Sequence, residues 1–383
     1  MNHEDQFKYQ SIDLATDAIR LLRLLRGSHQ DPIQCELFES FLHQVDGVPY
    51  EALSYTWGTS HDVRKITLND RKALIKESLH TALLALRQPD HDRLLWIDAI
   101  CIDQNDFKEK GHQVGQMRQI YENAEQVVVW LGPSNRDTDA FMDMARRWDH
   151  ETRQQPGARN AQRWVDSWIR LTADEIGPVG IEIAARRRDA LQEILNRPWF
   201  RRVWILQEVA SAKKATIQCG SKSMSSQGFG LLPFLLGLRV DSHTQAVLDI
   251  LPSYRRRDTW WGEKQDLQTL LVKFRTSKAT DDRDRIYALL GISSDACTSS
   301  TLLPNYGKSI GDVVRNTIQF LLFKNARCLF AHRLPYDLTL NTFLYLVPNL
   351  PDFIYAWSLR SGNDDIAAAV LPQVVNLNIP EHL

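Results

Sequence analysis

Two short and almost continuously apolar runs constrain the fold of this chain more than any other feature. LLWIDAICI (94–102) and EQVVVWLG (125–132) each have the length of a strand and lack the polar alternation of a half-exposed sheet. Between them, EKGHQVGQMRQIYENA (109–124) repeats apolar residues at helical spacing from Val114 to Tyr121. A helix between two strands that are buried on both faces indicates an α/β layered domain with a largely parallel sheet.

Short alternating patterns predict further strands and turns on either side of this unit. AIRLLRLLRG (18–27) and DPIQCELFESFL (31–42) predict an opening β-hairpin, and ITLNDRKALI (66–75) predicts a second hairpin around Asn69 and Asp70. The other elements that we expect here are the strand YEALSYTW (50–57), the helix ESLHTALLALRQ (77–88) and the strand KATIQCG (214–220).

The chain changes character twice after residue 134. Residues from about 135 to 190 are polar and predict an exposed insertion. Beyond about residue 225 the patterns are mainly helical, over 266–279, 283–292 and 311–323. We therefore expect a β-hairpin-like lead-in over 1–45, an α/β domain with its insertion over 46–222, and a mainly helical region over 223–383.

The charge balance argues against nucleic acid or an anionic membrane as a partner, because 46 basic and 47 acidic residues leave a formal net charge of −1. The apolar runs are too short to span a bilayer, and the polar N-terminus is unlike a secretory signal. Five scattered cysteines without a CxxC pair predict reduced thiols and no metal site. We expect a cytoplasmic protein.

The segment RPWFRRVWILQEV (197–209) carries a single carboxylate among large aromatic and apolar side chains. As one helix, it would form an apolar stripe with Glu208 at its edge, one turn after Trp204. A carboxylate that lies beside an indole and is partly shielded from water has a raised pKa unless a cation offsets the effect. On the pattern alone, the alternative is a structural ion pair of Glu208 with Arg201 or Arg202.

Polar and aromatic residues alternate where one of the expected strands ends. LSYTWG (53–58) places Ser54, Tyr55, Trp57 and Gly58 at the carboxyl end of a strand, where open α/β sheets bind ligands. The alternation allows one pair of side chains to face a ligand and to stack on a ring. Alternatively, the aromatic residues belong to the core and the glycine forms a turn.

A second group of polar residues lies in WIDAICIDQ (96–104). Asp98 stands in an apolar strand, where an unpaired carboxylate is costly to bury, so it must pair, cap a helix or face a polar pocket. Structural capping is the alternative to a ligand contact. Asp103 and Gln104 follow at the expected carboxyl edge of the same strand, on the ligand side. The common signatures GxSxG, GxGxxG, the P-loop and HExxH do not occur.

Four segments resemble the successive motifs of the heterokaryon incompatibility (HET) domain of filamentous fungi. They are YEALSYTWG, LLWIDAICIDQ, HQVGQMRQIYENAEQVVVWLG and RPWFRRVWILQE, and their order and spacing agree with that family from about residue 50 to 210. The flanking IRLLRLLRG, TDDRDRIYALLGI and LPDFIYAWS resemble its members as well. The resemblance implies a role in non-self recognition, in which the domain triggers cell death when a partner protein is incompatible.

HET domains also look like remote relatives of Toll-type (TIR) domains, which implies a flavodoxin-like, mostly parallel sheet with flanking helices. Some TIR domains cleave NAD+ at the nicotinamide–ribose bond through a glutamate in a Trp-x-x-x-Glu pattern, and Trp204 and Glu208 have that spacing. The resemblance implies an NAD+ nucleosidase with Glu208 as its catalytic residue and NAD+ as substrate, without a tightly bound cofactor. The substrate would then meet Ser54, Tyr55, Trp57, Gly58, Asp98, Asp103, Gln104, Arg201 and Trp204.

Two other functions stay open. One is a non-enzymatic death-signalling module that acts by self-association or by adaptor binding, with Trp204 and Glu208 in structural roles. The other is a different hydrolase or transferase that acts on nucleotides in the same cleft. The lack of a glycine-rich loop favours the signalling module. A lone glutamate nevertheless suffices for NAD+ cleavage, because nicotinamide leaves as a neutral molecule without a general acid.

Overall fold

The computed structural model describes residues 6–43, 49–58, 61–154, 161–175, 177–299, 302–324, 333–335 and 338–377. The chain divides into two compact units, Met1–Glu263 and Lys264–Leu383. None of the helices in the described ranges is both long enough and apolar enough to cross a membrane.

The first unit is built on a mixed sheet. Its strands are β1 (Ala18–Leu24), β2 (Gln34–Phe41), β3 (Glu51–Ser54), β4 (Val63–Leu68), β5 (Arg71–Lys76), β6 (Arg93–Trp96), β7 (Gln126–Trp130), β8 (Ala215–Cys219) and β9 (Lys222–Ser225). Their order across the sheet is β5-β4-β2-β1-β6-β3-β7-β8-β9. Strands β6, β3, β7 and β8 are parallel to one another and form a continuous core within it.

Three antiparallel hairpins, β1–β2, β4–β5 and β8–β9, belong to the same sheet. The β4–β5 turn consists of Asn69 and Asp70, which both have positive φ, as a tight hairpin turn requires. Both hairpins expected from the sequence are confirmed. The expectation of a mostly parallel sheet is wrong for the sheet as a whole, because the hairpins and the antiparallel β1–β6 pair make half of the strand pairings antiparallel.

Helices surround this sheet in the first unit. They are α1 (Glu77–Leu86), α2 (Asp98–Cys101), α3 (Phe107–Asn123), α4 (Arg136–Gln154), α5 (Ala161–Leu171), α6 (Gly177–Leu195), α7 (Ile205–Ala210), α8 (Ser226–Phe229), α9 (Leu232–Leu235), α10 (Ser242–Ile250) and α11 (Trp260–Glu263), with 3-10 helices at Pro198–Arg201 and Arg256–Asp258. The long helix α3 begins after Asp106, whose carboxylate accepts the backbone N–H groups of Lys108 and Glu109.

The strand expected over 94–102 is wrong in its second half. Strand β6 ends at Trp96, and after Ile97 the chain turns into α2 at Asp98. The last residue of α2, Cys101, is fully buried, and its Sγ accepts the Ile97 N–H at 3.3 Å. Buried side chains in this short helix give the same apolar pattern as a buried strand. Asp98 therefore stands in a helical first turn beyond the end of a strand.

The single helix expected over 197–209 is also wrong, because the segment breaks at Arg202. The 3-10 helix Pro198–Arg201 ends before an extended residue, and α7 begins at Ile205. Pro198 lies in the first turn of the 3-10 helix, where its missing N–H is tolerated. As a result Glu208 lies in the core and not at the edge of an apolar stripe.

The expected exposed insertion at about 135–190 is instead occupied largely by α4, α5 and α6 around buried tryptophans. The Trp148 ring lies edge-on to the rings of Trp164 and Trp168, with centroids 5.0 and 5.4 Å away. All three side chains are buried, and the Trp148 indole N–H donates to the Trp164 carbonyl oxygen at 3.2 Å. In the sequence, charged residues separate these tryptophans. The amphipathic helices were therefore predicted as a fully exposed segment.

The first compact unit extends beyond the boundary at residue 222 that we expect from the sequence. Helix α10 packs against the 3-10 helix at Pro198–Arg201, where Nε2 of His243 and the carbonyl oxygen of Phe200 are 2.9 Å apart. Farther along the chain, the Arg256 guanidinium donates to the carbonyl oxygen of Ala210, the last residue of α7. Residues 223–263 therefore complete the packing around α7.

The second unit is mainly helical, as expected. Its helices are α12 (Leu267–Lys273), α13 (Asp284–Leu290), α14 (Ile310–Phe323), α15 (Leu340–Leu346), α16 (Leu350–Arg360) and α17 (Asp364–Leu377), with a 3-10 helix at Val347–Asn349. Asp266, Ser309 and Thr339 precede three of them and accept backbone N–H groups of the first turn. For α12 and α14, these caps explain why the helix begins close to the start of the sequence pattern.

Candidate functional site

The parallel core of the first unit contains a point where the strand order reverses. The chain runs from β3 to β6 on one side of β3, and then to β7 on the other side. In open α/β sheets the carboxyl ends of the strands beside such a reversal are the usual place for a ligand. Strand β3 ends at Ser54, and α7, which carries Glu208, packs against both β3 and α3.

Glu208 is completely buried, with 0% of its surface exposed. Its Oε1 lies 3.4 Å from Nη1 of Arg202. Its Oε2 is buried and has no hydrogen bond of normal geometry among the described residues. Buried polar atoms are normally satisfied, so a carboxylate oxygen without a donor is an unusual feature of this site.

The pKa of Glu208 is raised to about 7. Burial is the largest cause, because removal from water disfavours the charged carboxylate. The Arg202 guanidinium lowers the pKa, the carboxylate of Asp98 raises it, and the Ser54 hydroxyl favours the charged form. Together, these effects place the titration of the Glu208 carboxyl group near neutral pH.

Arg202 joins three elements of the site through one guanidinium. Besides its contact with Glu208 in α7, its Nη2 donates to Oδ2 of Asp98 at 3.2 Å. Its Nη1 also donates to the backbone carbonyl oxygen of Tyr55, just beyond the end of β3, at 2.5 Å. The two buried carboxylates thus share a single counter-charge.

Trp57 completes the polar cluster from the other side of Asp98. Its indole Nε1 lies 3.0 Å from Oδ2 and 3.2 Å from Oδ1 of that carboxylate. The ring is half-buried, and the Lys76 ammonium is 5.9 Å from its centroid. Gly58 follows with φ +70°, and the Ser78 hydroxyl donates to the Trp57 carbonyl oxygen at 2.8 Å. The glycine permits a left-handed turn that holds the indole next to α1.

Ser54 and Tyr55 lie in the buried part of this site. The Ser54 Oγ accepts the indole N–H of Trp199 at 2.9 Å. Tyr55 is buried, and burial raises the pKa of its phenol well above the ordinary value. Its ring therefore belongs to the core, as in the alternative interpretation, and its backbone oxygen is the atom that Arg202 binds.

Arg201, expected beside Glu208, lies elsewhere. Its Nη1 and Nη2 pair with the two oxygens of Asp241 at 3.1 and 2.9 Å. Because the chain becomes extended at Arg202, the guanidinium of that residue takes the place next to Glu208. Trp204 is half-buried at the start of α7, and its carbonyl oxygen accepts the Glu208 N–H at 3.3 Å. The Trp-x-x-x-Glu spacing thus corresponds to one backbone turn.

Asp103 and Gln104 support the connection between α2 and α3. The Gln104 side-chain amide donates to the backbone oxygen of Asp98 at 2.8 Å. The Asp103 N–H donates at 2.7 Å to Glu109, which forms a buried ion pair with Arg20. The backbone N–H of Asp103 therefore belongs to a second polar cluster, that of Glu109 and Arg20, and not to that of Glu208. No group of metal-ligating side chains was found among the described residues.

Sequence reasoning missed the central position of Arg202 and the contribution of Trp199. Arg202 entered only as an alternative partner of Glu208, and Trp199 only as part of an apolar stripe. The sequence nevertheless carries a signal, because Asp98 and Glu208 are carboxylates inside apolar segments and Arg202 stands close to Glu208 along the chain. Buried charges of opposite sign must find one another, so their combination predicts a cluster.

Comparisons with known proteins match the part of the chain that carries this cluster. Residues 50–208 match the family model described as Heterokaryon incompatibility protein (HET), from the residue before β3 to the buried glutamate. The chain is 29% identical over 370 residues to Heterokaryon incompatibility protein 6, OR allele, of Neurospora crassa. The match covers 83% of this chain and 54% of that protein, so the chain spans about half the length of the curated relative. No solved structure matches.

Proposed function

We propose, from the premise that residues 50–208 form a heterokaryon incompatibility (HET) domain, that this chain acts in non-self recognition and triggers cell death by cleaving NAD+. The bond broken is the one between nicotinamide and ribose. One observation carries the proposal: Glu208 is a completely buried carboxylate beside the carboxyl end of β3, its Oε2 accepts no hydrogen bond of normal geometry, and its pKa is raised to about 7. Groups of this kind cluster at functional sites.

The order of the parallel strands supports the likeness to TIR domains. In chain order the strands of the parallel core are β3, β6, β7 and β8, and in space they follow the order second, first, third, fourth. This is the beginning of the flavodoxin-like order 2-1-3-4-5. We infer a flavodoxin-like core to which hairpins add antiparallel strands at both edges.

The reaction needs a negative charge beside the ribose. Nicotinamide leaves with the electron pair of the broken bond and becomes neutral, and positive charge develops on the ribose. An ionised Glu208 would stabilise that charge and accept hydrogen bonds from the ribose hydroxyls. Water then adds to the ribose carbon and gives up a proton, which yields ADP-ribose. One preorganised polar group of this kind contributes roughly 10²–10³-fold to the rate.

The proposed reaction requires an open form of the site, because Glu208 has no exposed surface here. In that form Arg202 would release Glu208 and keep its contact with Asp98. We propose that self-association, or an incompatible partner protein, stabilises the open form and thereby activates the domain.

Nicotinamide release from NAD+ by the purified full chain tests this function. We expect release at protein concentrations that favour self-association, and a loss of at least about 100-fold in Glu208→Gln. Arg201→Ala is the matched control and should keep its activity, because Arg201 pairs with Asp241. Full activity in a folded Glu208→Gln variant would overturn the residue assignment, and no release by the wild type at high concentration would overturn the enzyme.

The complete burial of Glu208 favours a second candidate function, a non-enzymatic death-signalling module. Here Glu208, Arg202 and Asp98 only fix α7 against β3, and self-association or adaptor binding carries the signal. This function predicts that a folded Glu208→Gln variant still kills fungal cells that express it. The NAD+ nucleosidase predicts that those cells survive.

A further inference from the structure

A cavity of about 640 Å³ lies at the end of the parallel strands opposite to Glu208. It is lined by the second half of α4, by Gln126 at the start of β7, by residues at the start of β8, and by β9. Ser54 and the Glu208 cluster lie near the carboxyl end of β3, so the cavity is separate from the candidate active site. Its volume falls within the range of cavities that hold small molecules and cofactors.

Cationic side chains dominate the lining of this cavity. Arg146, Arg147, Arg153 and Lys214 line it together with only two acidic residues, Asp149 and Glu151. Within the ranges that the structure describes, no ion pair joins Arg147 or Lys214 to an acid, and both are exposed. Two cations without carboxylate partners at the rim of one cavity provide a site for an anion.

The inner side of the cavity is polar. Asp149 is buried, and its Oδ2 holds Nη2 of Arg153 at 2.6 Å. The Thr216 hydroxyl donates to the side-chain oxygen of Gln126 at 2.9 Å, and Ser223 lies on the neighbouring strand. These groups offer hydrogen bonds to the uncharged part of a ligand, while the arginines and the lysine bind its charge.

We propose that this cavity binds a soluble phosphorylated small molecule of about nucleotide size. Guanidinium and ammonium groups both bind phosphate oxygens, and arginine does so through two parallel hydrogen bonds. Arg147 from α4 and Lys214 from the α7–β8 connection bind the phosphate, and the polar strand residues contact the rest of the ligand. The site does not depend on NAD+ cleavage at Glu208.

Calorimetric titration of the full chain at low ionic strength tests this site, with pyrophosphate, ATP and adenosine as probes. We expect pyrophosphate and ATP to bind and adenosine to bind at least about tenfold more weakly, because it lacks the phosphates. The variant Arg147→Ala/Lys214→Ala should weaken pyrophosphate and ATP binding by at least about tenfold.

Arg136→Ala/Lys213→Ala is the matched control, because it removes the same two charges from α4 and from the α7–β8 connection at exposed positions outside the cavity. We expect its affinity for pyrophosphate to change by less than about twofold. If the two double variants weakened pyrophosphate binding equally, the effect would come from general surface charge. That result would contradict the proposed site. Equal binding of adenosine and ATP, or no binding of any phosphorylated probe at millimolar concentration, would overturn it as well. Circular dichroism confirms in each case that the variant is folded.

Discussion

Glu208 and Asp98 are buried carboxylates that share the guanidinium of Arg202. Buried ion pairs add little net stability, but removal of one partner is costly because the other charge stays buried. Here one cation serves two acids, so its removal leaves two charges without a partner. Arg202 is therefore the single residue whose loss should affect this site most.

Arg202→Ala should lower the free energy of unfolding by about 3–5 kcal/mol, because it isolates two buried carboxylates. Arg201→Ala is the matched control, since the adjacent Arg201 pairs with a half-exposed Asp241 and contributes at most about 1 kcal/mol. Urea denaturation of both variants at pH 8 measures the difference. Equal losses of stability would contradict the arrangement of the cluster.

The raised pKa of Glu208 predicts how stability depends on pH. The folded state binds a proton at Glu208 more tightly than the unfolded state, since the pKa is raised from 4.5 to about 7. The stabilising contribution is therefore complete below the unfolded pKa and is lost as the pH rises through about 7. Glu208→Gln removes this dependence, because glutamine does not titrate.

Urea denaturation at several values between pH 5 and pH 8 measures this effect as a difference between variant and wild type. From pH 5 to pH 8, Glu208→Gln should become more stable relative to the wild type by on the order of 2–3 kcal/mol. Glu125→Gln, at an exposed position, is the control and should show no such trend. A constant difference across this range would place the pKa of Glu208 outside it.

At the scale of single residues, the sequence predicts that Glu208 is unusual but not which residue pairs with it. Glu208 stands out because a carboxylate in an apolar segment is costly to bury unless it is paired. The choice between Arg201 and Arg202 depends on where the 3-10 helix ends, and periodicity does not report that point. The contact between Trp57 and Asp98 joins segments 41 residues apart, so only the fold determines it.

At the scale of the elements, helix α8 packs so closely against its neighbours that one added methyl group would clash with them. A Cβ on Gly228 would lie 2.7 Å from Oδ1 of Asp149 and 3.1 Å from ring atoms of both Trp148 and Trp164. These three side chains are buried, so none of them can move aside freely. The position of α8 against α4 thus depends on the absence of one methyl group.

Gly228→Ala should lower the free energy of unfolding by about 1–3 kcal/mol through overpacking. Gly230→Ala is the matched control, because its nearest neighbour would be the Leu248 carbonyl oxygen at 3.8 Å and its φ is −63°. Alanine fits there without strain and should leave stability unchanged or raise it by up to about 1 kcal/mol. Thermal denaturation followed by circular dichroism compares them, and equal melting temperatures would contradict the close packing of α8.

The helices and strands are largely predictable from the sequence, and the predictions that are wrong share a cause. Apolar periodicity reports burial, whereas a strand differs from a short helix in where the backbone hydrogen bonds go. For this reason the pattern at 94–102 predicts one strand, while the chain forms β6 and then α2. The hairpin at Asn69 and Asp70 was predictable because its turn residues carry a local signal.

At the scale of the whole molecule, the extent of the first compact unit leads to a testable boundary. A chain of residues 1–263 retains α10 and Arg256, which contact the 3-10 helix at Pro198–Arg201 and the end of α7. A chain of residues 1–222 lacks these contacts and also cuts β9 from the β8–β9 hairpin. We expect the longer chain to unfold cooperatively in urea and the shorter one to lose cooperative unfolding. Cooperative unfolding of the shorter chain would instead support the boundary at residue 222.

The fold class of the whole molecule is predictable, but the strand order is not. Strand and helix patterns indicate a mixed α/β domain followed by helices, and both are present. Which strands become neighbours depends on long-range pairing, which composition and periodicity do not encode. The antiparallel contact of β1 with β6 joins residues about 70 positions apart and left no local signal.

The buried thiol of Cys101 provides a way to measure local opening of the structure near the Glu208 site. It is fully buried in α2, three residues after Asp98, and burial raises its pKa to about 12. Such a thiol does not react with an alkylating reagent until the surrounding structure parts, so its labelling rate counts openings. Site-resolved mass spectrometry over minutes to hours would thus measure how often the structure opens around α2, which carries Asp98 of the Glu208 cluster, with the exposed Cys297 as an internal standard.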